Sequence, residues 1–150
     1  MIIEKTPDFI AAAGGKKILA LDVSKNNIGL AVADAETKIA SPQNVIKRKN
    51  LKYDLVELKK HIMENNIGGL VIGLPLNMNG SEGPRCQSVR QFARDILKTV
   101  AIPIIFFDER LTTFASAEIL EKSGFTRQKK RALADKVAAS IILQAFLDNY

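Results

Sequence analysis

The sequence is poor in the residues that build disulfides and zinc sites. It contains one cysteine, Cys86, and one histidine, His61, and it has no tryptophan. A single cysteine excludes an internal disulfide, and one cysteine with one histidine is too few for a cysteine and histidine zinc cluster. Any metal bound by this chain alone must therefore be held mainly by carboxylates.

Long hydrophobic runs are also missing. The apolar stretches are much shorter than the ~20 residues that a membrane-spanning helix needs. The first residues include Glu4 and Asp8, where a secretory signal would carry a basic segment, so we expect a cytoplasmic protein. Pro7 and the pair Gly14–Gly15 predict that residues 1–15 form a flexible, loosely held arm and that residues 16–150 form one domain.

The composition is that of a globular protein with an excess of positive charge. The chain has 150 residues, of which 47% are hydrophobic, and this suffices for the core of one domain. Lys and Arg outnumber Asp and Glu by 22 to 16, which gives a formal net charge of +6. This balance favours a polyanionic partner such as nucleic acid.

The hydrophobic pattern alternates between strand-length runs and helical periods. Two apolar runs joined by a polar turn predict an antiparallel pair, and two later runs predict buried parallel strands. A third strand, interrupted by Pro42, is expected near 37–47. The predicted strands are 17–22, 28–33, 37–47, 69–73 and 102–107, and the predicted helices are 53–66, one beginning at Pro84, 112–122 and 129–148. This order predicts an α/β fold with a mixed sheet.

Three carboxylates stand at positions where a metal site could form. Asp22 and Glu109 each follow an apolar strand, and Asp135 lies on the apolar stripe of the last helix. Carboxylates gathered at one place repel each other unless a cation is present, and Mg²⁺ or Mn²⁺ prefers such oxygen ligands. A pair of these ions can activate water and stabilise the leaving oxygen of a phosphodiester, which makes a nuclease chemically coherent.

Each carboxylate also has a structural alternative. Asp22 could cap the turn at Ser24–Asn27, and Glu109 could form a surface ion pair with Arg110 or Arg127. Asp135 could pair with Arg131 or Lys136 near the start of its helix. Since neighbouring residues on a strand point to opposite faces, the pattern does not decide between Asp108 and Glu109.

The loop 73–84 and several basic residues are candidates for contacts with phosphate. The loop is rich in glycine, proline and asparagine and can bring backbone N–H groups close to an anion. Basic residues at the start of two helices could add contacts that depend on salt and carry no base specificity. The candidate nucleic-acid contacts are Asn77, Asn79, Arg85, Arg110, Arg127, Lys129, Lys130 and Arg131.

Four segments, in this order and spacing, resemble the YqgF family of pre-16S ribosomal RNA nucleases and Holliday-junction resolvase-like proteins. They are LDVSKNNIGLAV, VIGLPLNMNGSEGP, FFDERLTT and DKVAASIILQAFLD. The resemblance implies a ribonuclease H-like fold with a mixed five-stranded sheet flanked by helices. It also implies a catalytic, metal-binding triad of Asp22, Glu109 and Asp135, and thus favours Glu109 over Asp108. The chain departs from the family at Ser24, where the first motif usually has a glycine.

The resemblance implies a function in maturation of the 5′ end of pre-16S ribosomal RNA. It leaves two alternatives, namely a resolvase of four-way DNA junctions and a non-catalytic nucleic-acid-binding partner of transcription. The expected partners are pre-ribosomal RNA or branched DNA, together with ribosomal or transcription components. The protein is expected to be a monomer or a homodimer that does not bind membranes.

Overall fold

The computed structural model describes residues 1–34, 36–112, 124 and 126–149, with the backbone alone for 130–135. The predicted helix near 112–122 lies mostly outside these residues. A 3₁₀ turn at Glu109–Leu111 follows the last strand. The helices and strands, in chain order, are α1 (Thr6–Ala13), β1 (Lys17–Val23), β2 (Asn27–Ala33), β3 (Ala40–Pro42), β4 (Ile46–Lys47), α2 (Leu51–Glu64), β5 (Ile67–Leu74), α3 (Pro84–Leu97), β6 (Ile104–Asp108) and α4 (Arg127–Asp148).

The strands form one mixed sheet in the order β3-β2-β1-β5-β6, with β4 also paired to β2. β1 runs antiparallel to β2, whereas β1, β5 and β6 are parallel. The expected third strand is divided into β3 and β4, both of which lie against β2. The step from Pro42 to Ile46 has one residue more than the facing step from Ala31 to Ile28, and this extra residue interrupts the ladder. The predicted α/β fold with a mixed sheet is confirmed, whereas the described residues form six strands and not the expected five, because the third strand is divided.

Helices cover both faces of the sheet, so the parallel strands are apolar on both sides. On one face α2 and α3 pack on a core that includes Leu19, Leu21 and Leu70. On the other face α1 and α4 pack on a core that includes Ile18 and Ala20. The sequence spacing of Cys86, Val89, Ala93 and Ile96 predicts one apolar stripe on α3, and in the structure all four residues are buried in the first core.

The first fifteen residues pack against the sheet, and this differs from the expected loose arm. Phe9 of α1 is fully buried, and its ring meets that of Phe146 edge-on at 5.7 Å. Ahead of α1, the Ile3 N–H donates to the carbonyl of Ile104 at 2.7 Å, and the Ile104 N–H donates to the carbonyl of Met1 at 2.8 Å. The burial of Phe9 and these backbone hydrogen bonds hold the segment to β6 and α4.

Helix α2 departs from its predicted two-sided pattern at one residue. Leu55, Leu58 and Ile62 stand at helical spacing in the sequence, which predicts that Asp54 lies on the opposite, polar face of the helix. In the structure Asp54 is only 1% exposed. Its carboxylate accepts hydrogen bonds from Arg48 Nε at 3.0 Å and from the Lys49 backbone N–H at 3.1 Å. These two partners compensate for the loss of hydration, which allows the charge to be buried. No helix in the described part of the chain is long and apolar enough to cross a membrane.

Candidate active site

Two of the three predicted carboxylates meet at one edge of the sheet. Asp22 is the second-last residue of β1, and Glu109 directly follows the last residue of β6. Both strands are parallel to β5, so their carboxyl ends lie at the same edge. The Glu109 carboxyl group and Asp22 share a hydrogen bond. The structure therefore brings together two residues that are 87 positions apart in the sequence.

The environment of Glu109 disfavours its negative charge. Burial raises the pKa of Glu109 most, and the nearby charge of Asp22 and the hydrogen bond to it raise this pKa further, to about 8. The positive charge of Arg85 lowers the pKa of Glu109, whereas the negative charge of Asp108 raises it. The two carboxyl groups thus form a place where a cation would relieve repulsion.

Gly73 of β5 makes room for the Glu109 side chain. A Cβ atom at Gly73 would lie 2.5 Å from Glu109 Oε1 and 2.7 Å from Ile142 Cδ1 of α4. Such distances are far below van der Waals contact, so any larger residue would displace the carboxyl group. The sequence predictions place Gly73 at the end of the strand 69–73 and at the start of the loop 73–84 but give it no role in the site. A glycine at the carboxyl end of a buried strand is the signal that could have identified this role.

Asp108 is engaged by a different partner and does not compete for the site. Its carboxylate accepts from Arg110 Nη2 at 2.7 Å and from the Arg110 backbone N–H at 2.9 Å. These hydrogen bonds and the positive charge lower the pKa of Asp108. The structure therefore turns Glu109, and not Asp108, towards Asp22, and the proposed surface pair of Arg110 forms with Asp108.

Arg110 also fixes the loop that precedes α3. Its Nη1 donates to the carbonyl of Met78 at 3.1 Å. Within the loop, Asn77 Nδ2 donates to Ser81 Oγ at 3.0 Å, and Asn79 Oδ1 accepts from the Ser81 N–H at 3.0 Å. The predicted nucleic-acid contacts Asn77, Asn79 and Arg110 are thus used, in this structure, to shape the loop.

A cavity of about 460 Å³ opens between this loop and the carboxylates. Glu109, Arg85 and Arg110 line it together with the loop residues Asn77 and Met78. Arg85 is an exposed residue in the first turn of α3. Two basic side chains therefore border the carboxylate site on its open side.

Asp135 lies in α4, and the described part of the structure does not include its side chain. The residues predicted to share its stripe, Ala139, Ile142 and Phe146, are buried as expected. Among the side chains described, no group of three His, Cys, Asp or Glu residues is placed to hold a metal. The third member of the triad stays a prediction.

The predicted basic cluster near Asp135 is described only in part. Arg127 and Lys129 are exposed at the start of α4, where the Thr126 hydroxyl accepts from the Lys129 backbone N–H at 3.3 Å. The side chains of Lys130 and Arg131 lie outside the described ones. A contact of this cluster with nucleic acid also stays a prediction.

Ser24 forms the turn after Asp22 without a glycine. Its hydroxyl donates to the carbonyl of Asn27 at 2.9 Å and accepts from the Asn27 N–H at 3.2 Å. The non-glycine residues with positive φ in the described chain are Lys38 and Asn66. Since Ser24 has no such backbone strain, the departure from the family motif leaves the turn well formed.

Comparison with known proteins gives one family for nearly the whole chain. The model of the family described as "RuvX: Holliday junction resolvase" matches residues 16–149. A protein of Roseobacter denitrificans, provisionally named pre-16S rRNA nuclease, is 42% identical, with 99% of this chain and 93% of the relative aligned. A Rhodobacter capsulatus protein of the same name is 44% identical, with 99% of this chain and 94% of the relative aligned.

Solved structures show the same fold at much lower identity. Thermus thermophilus RuvC in complex with a Holliday junction substrate is 11% identical, with a TM-score of 0.53 over 89% of this chain and 94% of that chain. The fowlpox virus Holliday junction resolvase is 15% identical, with a TM-score of 0.53 over 89% of this chain and 99% of that chain. The ribonuclease H-like fold implied by the sequence resemblance is confirmed, and this chain belongs to the RuvX family, which is also called YqgF.

Proposed function

We propose that this protein is a metal-dependent nuclease that hydrolyses phosphodiester bonds, with Asp22, Glu109 and Asp135 as metal ligands. The observation that carries the proposal is the meeting of Asp22 and Glu109 at the carboxyl edge of the sheet. Within a nuclease family, such a pair of half-buried carboxyl groups is the expected centre of the chemistry.

The residues present fit a hard divalent cation. Carboxylate oxygens are the ligands that Mg²⁺ and Mn²⁺ prefer, and Asp22 and Glu109 supply two such groups at one place. Their mutual repulsion, which contributes to the raised pKa of Glu109, would be relieved by positive charge. Asp135 is proposed as the third ligand from its position on the buried stripe of α4.

The bound ions would lower the pKa of a water molecule and stabilise the leaving oxygen of the phosphodiester. Residues of this chain position the carboxylates, the loop and the substrate phosphate. Gly73 lets the Glu109 carboxyl group lie against β5, and Arg110 holds the loop at Met78. Arg85 places a positive charge beside the carboxylates, where it can attract the phosphate of the substrate.

The proposed substrate is the precursor of 16S ribosomal RNA, which is cut near its 5′ end. The names of the two bacterial relatives and the net charge of +6 support an RNA substrate. A place among the ribosomal and transcription components of the cytoplasm is part of the same proposal.

Cleavage assays with matched variants test this function. A 16S precursor fragment is incubated with Mg²⁺, Mn²⁺ or EDTA and with wild-type protein, Asp22→Asn or Asp8→Asn. Asp8 is exposed on α1 and serves as the control for loss of one carboxylate. We expect metal-dependent cutting by wild type and Asp8→Asn and a loss of at least 100-fold in Asp22→Asn. Equal cutting by all three proteins would overturn the assignment of Asp22.

Resolution of four-way DNA junctions is the second candidate, favoured by the description of the matching family. This activity requires two active sites related by a twofold axis, so the protein would have to be a dimer. A four-way junction is tested in parallel with the RNA, and the mass of the complex is measured by light scattering. Cutting of the junction alone by a dimer would replace the RNA proposal, whereas binding of both substrates without cutting of either would favour a non-catalytic role.

A further inference from the structure

A second cavity, of about 680 Å³, lies beside the carboxylate site. We call it the turn-side pocket. Its walls come from the β1–β2 turn, from the segment that leads into α2 and from the first turns of α3.

The turn-side pocket carries an excess of positive charge. Lys25, Lys49, Arg85 and Arg48 line it, and Asp54 is the one acidic residue among the described residues of its lining. The Asp54 carboxylate is buried and already paired with Arg48 at 3.0 Å. Lys25, Lys49 and Arg85 are exposed, and Lys49 Nζ lies 4.4 Å from the centre of the Tyr53 ring. Three exposed basic residues therefore line the pocket. A dianion or a phosphodiester is the chemistry that such a lining attracts.

Arg48 makes the pocket a fixed structure. Its Nη1 donates to the carbonyl of Ser24 at 2.9 Å, and its backbone N–H donates to the carbonyl of Asn26 at 2.8 Å. Its guanidinium group also lies 5.1 Å from the centre of the Phe92 ring on α3. Together with the Asp54 pair, these contacts join the β1–β2 turn to α2 and α3. The three walls of the pocket are thus held together before any ligand arrives.

The pocket adjoins the carboxylate site. Arg85 lines both cavities, and Ser24 is only two residues after Asp22. A nucleic-acid strand whose phosphate lies at Asp22 and Glu109 can therefore reach the pocket with an adjoining nucleotide. The volume falls in the range of about 300–1,000 Å³ that holds small ligands.

We propose that the turn-side pocket binds a phosphodiester group of the substrate strand next to the bond that is cut, with Lys25 and Lys49 as its main contacts. The inference rests on the proposed nuclease function and adds a subsite that is separate from the carboxylates. It places part of the substrate against the β1–β2 turn. The basic cluster predicted from the sequence belongs to a different element, α4. Neither lysine was among those predicted contacts.

Binding at several salt concentrations tests the subsite without cleavage. The protein carries Asp22→Asn, the buffer contains EDTA, and the probe is a 20-nucleotide single-stranded RNA with a 5′ fluorophore. Lys25→Gln/Lys49→Gln is compared with Lys5→Gln/Lys59→Gln, which removes the same charge from exposed lysines outside the pocket. Loss of one phosphate contact should lower the slope of log Kd against log salt by about 0.7 and raise Kd about fivefold at 0.1 M salt.

A neutral linkage in the RNA identifies the phosphate. One methylphosphonate is moved along the probe, and at one position it should weaken binding of the parent protein while leaving the pocket variant unaffected. Equal slopes for the pocket and control variants, at equal melting temperatures, would overturn the subsite.

Cleavage by otherwise wild-type protein separates this inference from the function on which it rests. In that background, Lys25→Gln/Lys49→Gln should raise KM and leave kcat unchanged, since neither lysine touches the carboxylates. If wild type cuts the RNA and the pocket variant has an unchanged KM, the subsite is wrong and the nuclease stands. If wild type neither cuts nor binds the RNA, the proposed RNA nuclease fails, and the subsite fails with it.

Discussion

The two ends of β5 use glycine for different purposes. At its beginning, Gly68 and Gly69 make room for α1, and at its end Gly73 makes room for Glu109. A Cβ atom at Gly69 would lie 2.6 Å from Cζ of Phe9, and one at Gly68 would collide with the carbonyl oxygen of Ala13. In each case a missing side chain lets another group lie directly on the strand.

The contacts that follow are opposite in character. At the first end the approaching ring of Phe9 is fully buried among apolar groups, so the contact stabilises the fold. At the other end Glu109 is held beside Asp22 in surroundings that raise its pKa, so the contact does not favour the charged form. Close packing on one strand thus stabilises the fold at one end and, at the other, holds the carboxyl group that the proposed function makes reactive.

The largest effect is expected from removal of the ring at the first end. Phe9→Ala should lower the free energy of unfolding by about 3–5 kcal/mol, since it opens a cavity between α1, α4 and the sheet. Urea unfolding followed by circular dichroism measures this change. Ile39→Ala is the control, because Ile39 is 66% exposed. Equal midpoints for both variants would show that α1 does not contribute to stability.

The next effect concerns activity at the other end. Gly73→Ala should lower kcat by about 100-fold, because the new methyl group would displace the Glu109 carboxyl group. Single-turnover cleavage of the RNA fragment measures the rate. The variant must keep its circular dichroism spectrum, and a rate equal to that of wild type in a folded protein would contradict the role of this close approach.

A substitution with a smaller effect should distinguish the roles of the two ends of β5 most clearly. Gly69→Ala should destabilise the fold by about 1–3 kcal/mol through overpacking against Phe9. Its rate of cleavage per folded molecule should remain that of wild type, because the change lies at the end of β5 away from Glu109. A loss of rate as large as that of Gly73→Ala, in protein that is fully folded, would remove the distinction between the ends.

The smallest effect is expected at Arg110. Its ion pair lowers the pKa of Asp108, so the pair stabilises the fold above the pKa of unfolded Asp108 and this contribution is lost as the pH falls through the lower, folded pKa. Arg110→Ala should raise the pKa of Asp108 and reduce the loss of stability on acidification. An NMR titration of the Asp108 carboxyl carbon measures the shift, and an unchanged pKa would show that the pair is not maintained in solution.

The sheet and the helices that cover it could be predicted because hydrophobic periodicity is a local property of the chain. The packing of α1 could not, since it depends on Gly68 and Gly69, more than fifty residues later in the sequence. The burial of Asp54 was missed for a related reason: the compensating partner, Arg48, precedes the helix and belongs to no periodic pattern.

Within the candidate site, the positions after apolar strands were enough to select Asp22 and the pair Asp108 and Glu109. The choice within that pair depends on the rotation of the chain at a single residue, which periodicity does not determine. The hydrogen bonds of Arg110 to Asp108 and the space above Gly73 decide it in the structure. The family resemblance had favoured the same residue by its motif alone.

The backbone hydrogen bonds that Ile104 forms with Met1 and Ile3 also have a consequence for self-association. β6 is the last strand in the described order of the sheet, and an open edge strand is a template for pairing with another chain. The bridge between Ile2 and Ile104 places the protein's own first residues along part of that edge. The N-terminal segment therefore protects part of this edge from pairing with another chain. Removal of residues 1–3 would expose the edge and should increase aggregation at high protein concentration.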